Sequence, residues 1–101
     1  MIHTEVFLVS ICNTFGSVHS MVFIEYPTLD EISKAFRDEA KYVSEYKPIG
    51  VDSNLGKTLE LLAEVAQACP KLSSVPRTEV KCGGVGIGCI TINPMKAVKR
   101  S

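Results

Sequence analysis

The chain has 101 residues, 46% of them hydrophobic and 22% charged; that balance is globular and excludes a disordered or fibrous polypeptide. A length near 100 residues supports one core, so a single domain is expected over residues 1–94, followed by a basic tail, 95–101, expected to fray. The formal net charge is zero, but residues 1–70 hold ten acids against five bases, and residues 71–101 hold six bases against one acid. The neutrality is a cancellation of two poles, and each pole is a candidate contact surface.

Glu5 to Cys12 and Val18 to Tyr26 are rich in β-branched and aromatic residues, with Asn13-Thr14-Phe15-Gly16-Ser17 as turn chemistry between them, which predicts a β-hairpin. The first strand is apolar on both parities, Val6 and Leu8 against Phe7, Val9 and Ile11, the mark of a central or doubly covered strand. In the second, Val18, Val22 and Ile24 fall on one side and His19, Met21, Phe23 and Glu25 on the other.

Thr28-Leu29-Asp30-Glu31 is a capping box and starts a helix. Leu29, Ile32, Phe36, Ala40 and Val43 form its buried stripe, Asp30/Lys34, Lys34/Asp38 and Lys41/Glu45 lie four apart on the wet side, and Pro48 ends it. A second helix is predicted from Asn54 to Cys69, where Leu55, Leu59, Leu62, Ala66 and Cys69 recur at helical steps and Leu61, Val65 and Ala68 widen the face; Pro70 stops it. Leu72 to Arg77 reads as a loop, and Thr78 to Cys82 with Val85 to Asn93 as a second hairpin around Gly83-Gly84, ended by Pro94.

The order β-β-α-α-β-β predicts an α+β fold, a four-stranded antiparallel sheet with both helices on one face. Such a two-layer domain leaves the other sheet face bare, which makes self-association into a homo-oligomer the economical expectation.

Gly50 to Thr58 ends in the Gly-Lys-Thr of a phosphate-binding loop, but five residues separate its glycines where that motif has four, and no buried strand precedes it. A solvated helix start is the better reading. More unusual is Cys82-Gly83-Gly84-Val85-Gly86-Ile87-Gly88-Cys89. Gly86 and Gly88 share a face without side chains, so something flat packs there: a part of the same fold, or an anion held on a bare backbone ridge with Arg77, Lys81 and Lys96.

No Cys-x-x-Cys pair and no helical histidine pair is present, so neither metal nor cofactor is expected. The basic last 31 residues contain no Phe, Tyr or Trp, which gives stacking on nucleic acid no support and leaves a nucleic acid or nucleotide a lesser alternative. Met1 to Thr4 lacks a basic leader segment, and Val6 to Val9 is far shorter than the ~20 apolar residues of a membrane span. The chain is therefore expected in the cytoplasm, off the membrane, with Cys12, Cys69, Cys82 and Cys89 as free thiols.

These features point to a small non-enzymatic binding protein of inhibitor or adaptor type. Its acidic first helix (Asp30, Lys34, Asp38, Glu39, Glu45) would meet a protein with a basic surface. The size and the lack of a catalytic signature suit the compact proteins with which phages and mobile elements block host machinery. The alternatives from other classes are an anion- or nucleotide-binding protein using the ridge at Gly83, Gly84, Gly86 and Gly88, and a small enzyme with a cysteine nucleophile.

Overall fold

The computed structural model describes residues 2–13, 16–72, 79–82 and 88–99, with only the backbone path for 2–4 and 97–99. In chain order it contains β1 (Ile2–Asn13), β2 (Val18–Phe23), α1 (Leu29–Tyr46), α2 (Leu55–Ala68), β3 (Glu79–Cys82) and β4 (Gly88–Lys99). The strands make one antiparallel sheet in the order β2-β1-β4-β3. This is the predicted α+β arrangement, with the first and last long strands side by side at its centre.

The register decides which side of each strand is covered. His19, Ile11, Ile90 and Val80 align across the sheet, followed by the row Met21, Val9 and Ile92. These rows face the helices. Val9, Ile11, Ile90 and Ile92 are buried against Ile32 and Phe36 of α1 and Leu59, Leu62 and Val65 of α2. Each such side chain contributes about 1.5–3 kcal/mol through loss of water contact. Val6 and Leu8 thus belong to the uncovered side, a choice that their apolar character alone leaves open.

Both hydrogen bonds of the α1 capping box form: the Glu31 amide donates to Thr28 Oγ1 and the Thr28 amide to Glu31 Oε1, each at 3.1 Å. At the far end Lys47 adopts a left-handed conformation (φ 45°) and its amide donates to the Val43 carbonyl, closing the last turn. α2 starts after an Asx turn in which the Asn54 amide donates to Asp52 Oδ1 at 2.8 Å.

Small residues let the helices approach closely. Buried Ser33 donates from its hydroxyl to the Ala63 carbonyl, and a Cβ on Gly56 would lie 2.8 Å from Ser44 Oγ. Gly56 therefore serves helix packing, and the Gly-Lys-Thr sequence that contains it lies in the first turn of α2 rather than in a phosphate-binding loop.

Two expectations are corrected. Pro94 does not end the last strand: it sits inside β4 opposite Phe7, and the residues after it pair onward to Lys99 opposite Ile2, so the tail is strand as far as Lys99. Among the described residues β3 pairs with β4 as far as Thr91, so Pro94 lies beyond that ladder and its missing amide breaks none of its hydrogen bonds.

The cysteines are not free thiols either. Cys12 is bonded to Cys89 and Cys69 to Cys82. The first pair joins residues directly opposite each other in the β1–β4 ladder, and the second ties the end of α2 to β3. Protein prepared without reductant should have an intact mass lower than the sequence mass by one hydrogen per cysteine. Denaturant unfolding should show a loss of about 2–5 kcal/mol for removal of a native disulfide from so small a domain. A fully reduced mass would contradict the pairing.

Candidate functional site

The structure offers two surfaces, one on each side of the molecule. The first is the outer face of α1. Asp30, Lys34 and Asp38 follow one another at four-residue steps, and Lys41 and Glu45 continue the stripe. Lys34 Nζ lies 3.2 Å from Asp38 Oδ2 and Lys41 Nζ 3.9 Å from Glu45 Oε1, all strongly exposed. Exposed pairs of this kind contribute little to stability.

Glu39 stands apart from that stripe. It turns toward β2, where its Oε1 is 3.5 Å from His19 Nε2, and the His19 ring stands edge-on to Phe36 at 5.7 Å. Of the five predicted contact residues, α1 thus groups Asp30, Lys34, Asp38 and Glu45 and sends Glu39 to the sheet. A shallow hollow between the helices is lined by Asp30, Ser33, Lys34, Arg37, Asp38 and Gln67. In it the Arg37 guanidinium donates to Gln67 Oε1. Arg37 thereby joins the two helices, a role its spacing does not disclose.

Beside this stripe the Tyr42 and Tyr46 rings lie against each other, tilted by 36° with centroids 4.9 Å apart, while remaining 52% and 69% exposed. Sequence periodicity places Tyr46 at the edge of the apolar face, but the exposed aromatic pair is visible only in the folded helix.

The second surface is the sheet face away from the helices. Among the residues whose side chains are described, its rows are Val18, Cys12, Cys89 and Lys81; then Ser20, Ser10, Thr91 and Glu79; then Val22, Leu8 and Asn93; and then Val6 and Met95, beyond which the register runs on to Ile2 opposite Lys99. Val18, Val22 and Met95 are 63%, 60% and 46% exposed, and the Ser10 and Ser20 hydroxyls are hydrogen-bonded at 2.7 Å. Glu79 and Lys81, both on the edge strand β3, are the only charged residues among these.

Of the predicted anion-binding set, Arg77, Gly83, Gly84 and Gly86 lie outside the described residues. Lys81 is exposed on the uncovered face of β3, whereas Lys96 is on β4 opposite Glu5. Lys81 aligns with Cys89, so Lys96 lies seven residues further along β4, about 24 Å away at strand rise, and on the other parity. The structure does not bring the two lysines together.

Gly88 has a specific partner. A Cβ there would run into the Cys12 carbonyl and come within 3.1 Å of Val65 Cγ1. What packs on this glycine is the chain itself.

Among the described residues no group of His, Cys, Asp or Glu is placed to hold a metal ion, and no helix is long and apolar enough to cross a membrane. Comparison with protein-family models, with curated proteins and with solved structures finds no match to this chain.

Gly88→Ala should destabilise the fold by about 1–3 kcal/mol, the usual cost of forcing atoms into a filled site. A chemical denaturation midpoint equal to that of the unsubstituted protein would show that β4 does not press on Cys12 as described.

Proposed function

We propose that this is a binding protein rather than an enzyme, of inhibitor or adaptor type, which acts through protein contact and also associates with itself. The observation that carries the reading is the outer face of α1, where the Tyr42–Tyr46 ring pair stands exposed beside the charged stripe from Asp30 to Glu45. Tyrosine is one of the residue types enriched at the energetic centre of protein interfaces, because it brings large area at low entropic cost. The two helices hold seven acids against four bases. A basic partner surface is the complement.

The Tyr42 and Tyr46 rings would supply contact area and the carboxylates would supply steering and register. Both disulfides favour an oxidising compartment over the reducing cytosol, where such pairs rarely persist. A protein that blocks or bridges a larger partner, of the kind carried by phages and mobile elements, fits this size and surface.

The cysteine-nucleophile alternative has no free thiol to work with in this oxidised form.

Binding to a partner recovered with the immobilised chain should weaken as ionic strength rises. Asp38→Lys combined with Glu45→Lys should lower affinity by roughly tenfold or more, and Tyr42→Ala with Tyr46→Ala by roughly thirtyfold, the effect of losing an interface hot spot. Affinity indifferent to salt and to both double variants would remove α1 from the account.

A further inference from the structure

The two surfaces differ in what they can meet. α1 and α2 together carry seven acids and four bases, whereas the central strands of the uncovered sheet face present Val6, Leu8, Ser10, Thr91, Asn93, Met95 and the Cys12–Cys89 disulfide. The charges among the described side chains of that face, Glu79 and Lys81, sit two residues apart on the short edge strand and cancel. The distribution is that of an interface, with an uncharged centre and a charged rim.

We propose that a second copy of this chain packs face to face on this sheet, about a two-fold axis running along the strands between β1 and β4. The inference rests on the self-association reading above and assigns it a surface.

Three observations favour a second copy as the occupant. The first is charge. Among the residues of this face whose side chains are described, one carboxylate and one ammonium leave no net sign, so a strongly acidic or basic partner gains little from it, while an identical face meets no repulsion there; Lys99, in register with Ile2, lies at the far end of the ribbon.

The second is shape. A two-fold axis along the strands lays each β1–β4 ribbon on its counterpart over its whole length, Val6 and Leu8 of one copy over Met95 and Asn93 of the other. β3, with Glu79 and Lys81, then falls over the partner's β2 at the wet margin. Aligned packing of two twisted sheets is a standard solution of this problem.

The third is area. Two strands of twelve residues, flanked by strands of six and four, cover about 550 Å² in projection at ordinary strand spacing and rise. Side-chain relief raises the accessible area toward the ~800 Å² per partner of a standard interface.

Sedimentation equilibrium of the oxidised full chain over about a hundredfold range of concentration tests this. The mass should approach twice the 11.0 kDa of one chain. Val22→Lys should weaken dimerisation at least tenfold while circular dichroism stays unchanged. Met95→Lys tests the same face from the other long strand should the first variant not fold. Leu61→Lys, on the exposed side of α2, should leave the dimer intact.

A monomer at every concentration overturns the proposal together with the self-association reading. A dimer indifferent to both Val22→Lys and Met95→Lys overturns the assignment to the sheet face and leaves self-association standing. Neither result bears on the salt and charge-reversal test of α1.

Discussion

Every other feature of this molecule depends on the pairing of β1 with β4. All twelve residues of each strand take part, from Ile2 opposite Lys99 to Asn13 opposite Gly88. The pairing makes these strands the centre of the sheet, sets Val9, Ile11, Ile90 and Ile92 on one side, and gives the helices a surface to cover. It is also the most distant contact in the sequence. Closing so long a loop costs entropy that grows only slowly with length, and once closed it returns a ladder, half a core and a disulfide. Pairing of this range is intrinsically slow, so the helices and the β1–β2 hairpin can form before it.

The helices answer that constraint from the other side. Their apolar stripes fit the inward rows of the sheet, and Ser33, Gly56 and Ala63 hold them close enough to act as one layer. The Arg37 link to Gln67 and the Ser33 bond to Ala63 both cross between the helices, so the outer face of α1 is presented on a firm base. What results is a two-sided molecule: a charged helical side with an aromatic pair, and a sheet side whose described centre is uncharged.

Local signals in the chain were legible because local physics decides them. Thr28 and Glu31 announce the start of α1 through hydrogen bonds that both residues then make, and the alternation of Val18, His19, Met21 and Val22 divides β2 as its sequence indicates. The sheet features hidden from such reading depend on register between distant strands. β1 is apolar on both parities, so which side is buried waits on β4; Cys12 and Cys89 pair because that ladder sets them opposite each other, not because of any spacing.

Pro94 looks terminal until its place opposite Phe7 in the β1–β4 ladder is known. In the glycine-rich segment, Gly88 is small because the Cys12 carbonyl lies where its side chain would be, a reason that only the β1–β4 register discloses. Of the candidate contact residues, helical spacing groups Asp30, Lys34, Asp38 and Glu45 correctly, while the diversion of Glu39 to His19 needs the position of β2.

The two sulfur bonds are nested, with Cys69 and Cys82 enclosed between Cys12 and Cys89. A single cut in the backbone anywhere from Asn13 to Gly88 therefore releases nothing, since the outer bond still holds both fragments. A protease that nicks the connection between the helices would leave one covalent body whose pieces part only when a reductant is added.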